Sequence, residues 1–204
     1  MVGYHKLKFY RRDFLTMTTP RKSRCAWAFN ELLIQYHDKE WGVPVHDDRM
    51  LFEFLILEGA QAGLSWHTVL QKRETYRDAF DQFHAEKIAR YSPRKIAQLL
   101  NNSGIIRNRL KIQAAITNAK AFLVLQDQFA SFDQFIWQFV DHCPRQNCWK
   151  SSHTLPCSSS QSDAMSRTLK HHGFTFVGTK ICYAFMQATG MVGDHVVGCF
   201  RFEV

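Results

Sequence analysis

Two residues with metal-ligating side chains stand four positions apart near the end of the chain, within the segment Asp-His-Val-Val-Gly-Cys. On a helix, His195 and Cys199 would lie on one face, and an imidazole nitrogen with a thiolate sulfur is a ligand pair that zinc prefers. Near the start of the chain, Cys25 and His37 offer the same two atom types. Together the four residues would suit a tetrahedral site that ties the ends of a domain together. Spacing alone leaves alternatives open, because other cysteines compete as ligands and each of the four also suits a place in the core.

A single carboxylate falls on the apolar face of a predicted helix. Residues 47–62, DDRMLFEFLILEGAQA, begin with an acidic N-cap and continue with an apolar stripe at helical spacing. The stripe consists of Leu51, Phe54, Leu55, Glu58 and Ala62. Burying a carboxylate among leucine and phenylalanine side chains is costly unless it has a partner. Glu58 is therefore either a structural hydrogen-bonding group or a functional one.

The elements that would position these residues are helices. Start signals stand at Ser65 and Ser92, and stop signals at Gly104, Gly173 and Gly190. The predicted helices cover 47–62, 65–80, 93–102, a long span from Arg107, a stretch from Ser160 or Ser162 to 171, and 179–190. No β alternation, internal repeat or Gly-rich phosphate loop is present. The pattern predicts an all-α fold.

A short basic turn joins two of these helices. The segment 101–112, NNSGIIRNRLKI, places Arg107, Arg109 and Lys111 at the start of the second helix. Backbone N–H groups in such a turn, together with a helix N-terminus, favour binding of a phosphate. The alternative is an ordinary helical hairpin whose charged face is solvated.

Composition limits the class of protein. The 204 residues, 46% hydrophobic and 14% aromatic, suffice for one domain with a sizeable aromatic core. The excess of 26 basic over 18 acidic residues favours an anionic partner such as nucleic acid. We expect a cytoplasmic protein without membrane contact, whose six cysteines are thiols or ligands, because neither a membrane span nor a secretory leader is apparent. Residues 1–24 indicate a flexible basic extension.

Four segments in a fixed order carry a resemblance to a known family. They are YHDKEWGVP at 36–44, LEGAQAGLSWHTVLQKRETYRDAF at 57–80, SGIIRNRLKIQAAITNAKAF at 103–122 and SDAMSRTLKHHGFTFVGTKICYAFMQATGMVGDHVVGC at 162–199. Over about 25–202 the chain resembles the DNA-3-methyladenine glycosylase I family. This match is more specific than any single motif in the sequence.

The resemblance implies a fold and a reaction. The fold is that of the helix-hairpin-helix DNA glycosylases, with one domain over 25–204. A helix-hairpin-helix lobe would cover about 46–142, and a second lobe, joined by a structural zinc ion, about 25–45 plus 160–202. The reaction is hydrolysis of the N-glycosidic bond of 3-methyladenine in alkylated double-stranded DNA, without a lyase step. We expect the enzyme to act as a monomer in the bacterial cytosol.

The resemblance also implies site residues. The family's zinc ligands fall on Cys25, His37, His195 and Cys199. Its base pocket falls on Glu58, Tyr36 and Trp66, with Trp27 nearby, and its contacts to the DNA backbone on Gly104, Ile105, Arg107, Arg109 and Lys111. An enzyme that acts on a base must take it out of the stack, so Trp66 suits a stacking platform and Glu58 suits a catalytic group that recognises the base electrostatically.

Departures from the family pattern leave alternatives. The interval from Cys25 to His37 is one residue shorter than the family arrangement, Leu33 stands where an aromatic tyrosine can contribute to the pocket, and Ala60 stands where glutamine is usual. The resemblance places no catalytic aspartate on this chain. Two other functions therefore stay open: a catalytically silent zinc-containing DNA-binding relative, and a glycosylase with shifted alkyl-base specificity.

Overall fold

The protein is mostly helical in the part that the computed structural model describes, residues 22–202. Ten α-helices lie in this part: α1 (Glu31–Lys39), α2 (Asp48–Gln61), α3 (Trp66–Gln71), α4 (Arg73–Ala79), α5 (Ala85–Ile88), α6 (Pro93–Asn101), α7 (Arg109–Phe129), α8 (Phe132–Trp137), α9 (Ser160–His171) and α10 (Thr179–Ala188). Short 3₁₀ turns lie at Asp81–Phe83, Gln138–Val140 and Ser152–Thr154. Two parallel strands of two residues each, β1 (Arg145–Gln146) and β2 (Val192–Gly193), are the one addition to the predicted all-α architecture.

Helix α2 runs through the centre of the core. Asp47 caps it, as predicted, by accepting a hydrogen bond from the backbone N–H of Met50 at 2.8 Å. Every residue from 51 to 60 is buried, so the helix is covered on all sides. Phe52 packs on Phe122 of α7 with ring centroids 4.8 Å apart, and α10 packs against another side of α2. Polar groups on α2 are therefore held at fixed depth inside the protein.

The predicted start and stop signals account for several helix ends. The hydroxyls of Ser65 and Ser92 each accept the backbone N–H three residues later, at 3.2 and 3.3 Å, which caps α3 and α6. Gly173 and Gly190 follow α9 and α10 with φ of +86° and +70°. A side chain on Gly190 would also lie 2.4 Å from the backbone of Val43. Glycine is required there for both its conformation and its lack of a Cβ.

Two predicted helices begin or end elsewhere. The span 65–80 is two helices, because the N–H of Lys72 bonds the carbonyl of Val69 at 2.9 Å and interrupts the regular ladder. Helix α9 is capped by Ser159 rather than by Ser160 or Ser162. The Ser159 hydroxyl accepts the N–H of Ser162, and the Ser162 hydroxyl accepts the N–H of Ser159. This reciprocal capping box selects Ser159.

The ends of the chain come together in the described part. The N–H of Phe200 bonds the carbonyl of Ser23 at 2.9 Å, and Arg24 forms an ion pair with Asp38 at 2.7 Å. Residues 22–24, placed in the predicted extension, thus contact the folded part, whereas the rest of that extension lies outside the described residues. No helix within 22–202 is long and apolar enough to cross a membrane.

Candidate functional site

A cavity of about 460 Å³ opens between α1, α2, α3 and α10. Its aromatic wall is formed by Trp27, Phe29, Tyr36, Trp41 and Trp66. Its polar groups come from Glu58, Gln61, Ser65, His67 and Gln187, and its aliphatic ones from Leu33, Leu155 and Ala184. The cavity lies in the range of about 300–1,000 Å³ that small-molecule sites occupy. It brings together all four residues predicted for the base pocket.

The carboxylate of Glu58 is buried in this cavity without a partner. Glu58 is 4% exposed, and no residue within 22–202 forms a hydrogen bond with its Oε2 atom. Burial raises the pKa of Glu58 to about 8. The indole Nε1 of Trp66, on the same cavity, is a second buried polar atom without a partner in the described part of the chain. Because buried polar atoms are nearly always hydrogen-bonded, these two atoms on one cavity are available to a polar ligand or to water.

The aromatic rings of the cavity pack on one another. The ring centroids of Tyr36 and Trp66 are 5.4 Å apart, and Trp27 lies 6.3 Å from Tyr36 and 5.0 Å from Trp41. Burial, and then the neighbouring Glu58 charge, raise the pKa of Tyr36, so its hydroxyl stays protonated. The wall therefore suits a flat ring, and the buried carboxylate suits a positive charge on that ring.

Two of the three departures from the family pattern concern single residues, and these lie in different places. Leu33 is buried at 5% exposure and lines the cavity, so the wall is aliphatic at this point. Ala60 is outside the cavity lining, and its carbonyl accepts a hydrogen bond from the Lys111 ammonium group at 2.8 Å. Only the leucine bears on the shape of the site.

The four predicted metal ligands converge on one buried point. The ligand atoms of Cys25, His37, His195 and Cys199 all lie within 4.8 Å of one another. The Cys199 sulfur lies 3.4 Å from His37 Nε2 and 3.5 Å from His195 Nδ1, which in turn lies 3.7 Å from the Cys25 sulfur. Nitrogen and sulfur ligands of a tetrahedral zinc ion stand about 3.5 Å apart. The donor set and its spacing thus fit a metal.

The imidazoles of this cluster are oriented by their second nitrogens. His37 Nδ1 pairs with the Asp38 carboxylate at 2.8 Å, and His195 Nε2 contacts the Trp41 carbonyl at 3.1 Å. Burial lowers the pKa of both rings, that of His195 to about 4, so the neutral ligand forms prevail. Metal-binding histidines typically have a second partner of this kind. The Trp41 ring also lies 4.6 Å from His195, so the cluster adjoins the cavity wall.

The segment 194–199 is not a helix, which corrects the expectation that His195 and Cys199 share a helical face. Strand β2 ends at Gly193, and the ligands follow in a turn in which the N–H of Cys199 bonds the Val196 carbonyl at 2.7 Å. The turn brings the two residues to one point without a helix. A side chain on Gly42 would lie 3.1 Å from the His195 ring, which explains the glycine there.

The predicted DNA-binding turn has a different internal structure from that expected. Gly104 does not end α6, which finishes at Asn101 with Asn102 as its C-cap. A side chain on Gly104 would lie 2.1 Å from the Thr75 methyl group, so glycine permits a close approach. The N–H of Gly104 bonds the Asn102 side chain at 2.8 Å. Ile105 is 2% exposed, and its N–H bonds the carbonyl of Asn102 at 3.4 Å.

The three basic residues of this turn have different roles. Arg107 and Arg109 are exposed, and neither forms an ion pair with any residue in 22–202. Helix α7 begins at Arg109, two residues later than predicted, because the Asn108 side chain caps it at 3.1 Å. Lys111 points inward: its ammonium group donates to the carbonyls of Ala60 and Ala62 at 2.8 and 2.6 Å, at the end of α2. The structure therefore gives Lys111 a helix-capping role.

The sequence did not indicate the surroundings of two buried carboxylates. Glu53 on α2, 6% exposed, pairs with Arg73 at 2.5 Å and Arg77 at 2.8 Å. Asp194 is fully buried and accepts hydrogen bonds from α10 and from the loop before α9. The burial of Glu53 could have been predicted, because it is a charged residue inside the apolar run FEFLIL. Asp194 adjoins a predicted metal ligand, but nothing in the neighbouring sequence indicates its four hydrogen-bond partners.

Together these features give a mostly helical protein with a cavity that suits a flat, positively charged group, adjoining a cluster that fits a metal. The methyladenine glycosylase family model matches residues 26–202. DNA-3-methyladenine glycosylase 1 of Escherichia coli is 51% identical over 177 residues, 86% of this chain and 95% of that protein. The chain belongs to the methyladenine glycosylase family, and it is an enzyme of the glycosylase class.

Two solved structures of 3-methyladenine DNA glycosylase I share the fold. One has a TM-score of 0.87 and 51% sequence identity, and covers 89% of this chain and all of the other. A second, a variant in complex with 3-methyladenine, has a TM-score of 0.86 and 30% identity, and covers 89% of this chain and 98% of the other. The helical architecture is thus that of these glycosylases.

Proposed function

We propose that this protein hydrolyses the N-glycosidic bond of 3-methyladenine in alkylated DNA. The observation that carries the proposal is the buried, unpartnered carboxylate of Glu58 in a cavity walled by aromatic rings. Methylation at N3 puts a positive charge on adenine, and a flipped adenine offers N–H donors and a flat face. Glu58 accepts from these donors and attracts the charge, while Trp66 supplies the stacking surface and Tyr36 and Trp27 complete the wall.

The charge on the base determines what the protein must supply. When the bond between C1′ and the base breaks, its electron pair neutralises the base, so the leaving group needs no proton. Water attacks the oxocarbenium-like sugar and releases its extra proton to solvent, and an abasic site remains without strand cleavage. The protein contributes extraction of the base from the duplex stack and binding of its positive charge by a carboxylate held in the cavity. Glu58 thus acts electrostatically on the reacting base, and no residue is assigned as a general base.

Chromatography of the bases released from methylated duplex DNA tests the proposal. We expect free 3-methyladenine from the wild type and a loss of about 100-fold in Glu58→Gln, the scale for losing one preorganised electrostatic group. Trp66→Ala should lose more activity than Trp66→Phe, which keeps a ring. Glu86→Gln, on the exposed face of α5, is the matched control for removal of a carboxylate.

A wild type that binds the DNA and releases no base would favour a silent DNA-binding relative. Release of mainly 7-methylguanine would indicate shifted specificity.

The Cys25, His37, His195 and Cys199 cluster is proposed to hold one structural zinc ion. Two thiolates and two imidazoles are a closed tetrahedral set, which leaves no position for a catalytic water. The ion would join the N-terminal segment to the C-terminal turn and hold Trp41 against the cavity. Metal analysis should give about one zinc per chain, and Cys199→Ser should lower both zinc content and thermal stability. Cys157→Ser, an exposed cysteine elsewhere, should change neither.

The segment 101–112 is proposed to act as a helix-hairpin-helix grip on double-stranded DNA. Arg107 and Arg109 are exposed cations at the start of α7, and Gly104 and Ile105 precede them in the same turn. The enzyme would act as a monomer on DNA in the bacterial cytosol. Joint replacement of the two arginines by alanine should weaken binding and reduce the salt dependence by about two phosphate contacts. Arg167→Ala with Lys170→Ala on α9 removes equal charge as the control.

A further inference from the structure

The side-chain amide of Gln187 is held in one orientation beside the cavity. Its Nε2 atom donates to Asp194 Oδ2 at 2.7 Å. A carboxylate only accepts hydrogen bonds, so the amino end of the amide must face Asp194 and the carbonyl oxygen must face away from it. Gln187 lines the same cavity as Glu58, one helical turn after Ala184, which also lines it. The carbonyl oxygen is therefore the atom that this residue has left for a ligand.

Asp194 cannot readily turn to release the amide. The aspartate is fully buried, and Tyr183 donates its hydroxyl to Oδ2 at 2.8 Å. The other oxygen, Oδ1, accepts from Asn147 Nδ2 and from the Trp149 indole, both at 2.7 Å. Four donors from two separate elements, α10 and the loop before α9, thus saturate one carboxylate. Such a satisfied network fixes its members more firmly than any single contact would.

We propose that the Gln187 carbonyl oxygen accepts a hydrogen bond from the exocyclic amine of the adenine, and that Asp194 is the positioning residue that presents it. This inference rests on the proposed function. At the corresponding atom guanine carries a carbonyl oxygen, which would face a second acceptor. A fixed acceptor opposite an acceptor leaves both groups unpaired and out of water, which is the basis of strong discrimination. Gln187 therefore selects adenine over guanine among 3-alkylated purines.

The test is the ratio of kcat/KM for 3-methyladenine to that for 3-methylguanine, each at a single site in the same duplex. Gln187→Met keeps the length of the side chain and removes the carbonyl. We expect about a tenfold loss on 3-methyladenine, mainly through KM, and a gain on 3-methylguanine, whose carbonyl oxygen no longer faces an acceptor, so the ratio falls by more than about tenfold. Asp194→Asn places an amide nitrogen beside Gln187, which allows its amide to flip, and should lower the ratio as well. Glu86→Gln, on the exposed face of α5 and outside this network, should leave the ratio unchanged.

The outcomes separate this inference from the proposed function. If the wild type releases 3-methyladenine and Gln187→Met lowers both rates by the same factor, the residue is only structural and the inference is overturned. If Gln187→Met keeps the wild-type ratio and rates, the carbonyl does not contribute to recognition of the base, and the inference is again overturned. If the wild type releases no 3-methyladenine, the proposed function fails together with what rests on it. Since Gln187 is only half-buried, its variant stays informative even if Asp194→Asn does not fold.

Discussion

Two buried glutamates on one helix have opposite surroundings. Glu53 and Glu58 lie five residues apart on α2 and are 6% and 4% exposed. Both oxygens of Glu53 are bound by guanidinium groups, at 2.5 Å from Arg73 and at 2.8–3.1 Å from Arg77. Glu58 has an oxygen with no partner, and burial raises its pKa to about 8. The two residues share a helix, a degree of burial and a side-chain type. They differ in the charged partners that the neighbouring helices provide.

The difference separates a structural charge from a functional one. Burial works to lower the pKa of Arg73, but the charges of Glu53 and Glu40 raise it. These ion pairs join α2 to α4 and to the end of α1, and they need nothing from outside. Glu58 is stabilised only when a cation enters the cavity. An enzyme that must attract a charged base gains by leaving this carboxylate unpaired, and it loses stability by doing so.

The largest expected effect is on stability, from Glu53→Gln. This change leaves Arg73 buried with a weakened partner set, and removing one member of a buried ion pair costs about 3–5 kcal/mol. Urea unfolding of the variant should show a loss in this range, which corresponds to a melting temperature lower by about 10 °C for a domain of this size. Glu74→Gln, an exposed partner of Arg77, should cost less than about 0.5 kcal/mol. A loss below 1 kcal/mol in Glu53→Gln would place Glu53 among the dispensable surface charges.

The second effect is on the pH dependence of activity. In the free enzyme Glu58 loses its proton near pH 8, so kcat/KM on methylated DNA should rise toward that pH by up to about tenfold per unit and then level off. The carboxylate is the form that attracts the cationic base. In Glu58→Gln the rise should disappear, leaving a low, flat profile, whereas Glu86→Gln should keep the wild-type curve. A wild-type profile already flat between pH 6 and 8 would show that the pKa of Glu58 in the free enzyme is not raised.

The third effect is the stability change in Glu58→Gln, which should be opposite in sign to that in Glu53→Gln. The folded pKa of about 8 exceeds the ordinary 4.5, so the folded state holds the proton more tightly. As the pH rises from about 4.5 to 8 the unfolded chain ionises first, and the free energy of unfolding falls. At pH 8 the variant should be more stable by about 2 kcal/mol, less than the ~5 kcal/mol of the full shift at 1.36 kcal/mol per unit, because water enters the open cavity. Parallel urea titrations at pH 5 and pH 8 measure the difference. An equal stability of both proteins at both pH values would contradict the assigned burial cost.

The burial of Glu58 can be predicted from the sequence, whereas the partners of Glu53 cannot. Helical spacing places Glu58 on a buried stripe, because period and polarity are local properties. The partners of Glu53 lie 20 and 24 residues away on α4, and their approach depends on how α2 and α4 pack, which local pattern does not contain. For the same reason the turn at 194–199 could not be distinguished from a helix. Its shape comes from the pairing of β1 with β2 and from contacts to residues at the other end of the chain.

The smallest effect is expected from Arg77→Ala, and it tests how much redundancy the Glu53 network contains. Arg77 is 29% exposed on its side chain, so water can replace part of what it donates, whereas Arg73 is 6% exposed. With Arg73 retained, one oxygen of Glu53 keeps its buried partner, and the loss should be about 1 kcal/mol, the upper range for a partly exposed pair. Urea unfolding in low and in high salt measures it, and the loss should shrink in high salt because exposed charges are screened. If Arg77→Ala instead costs as much as Glu53→Gln, the two guanidinium groups act as one unit. Glu53 would then resemble Glu58, because each carboxylate would depend on one positively charged group. The two would differ only in where that group comes from: the arginines of the protein for Glu53, and a bound ligand for Glu58.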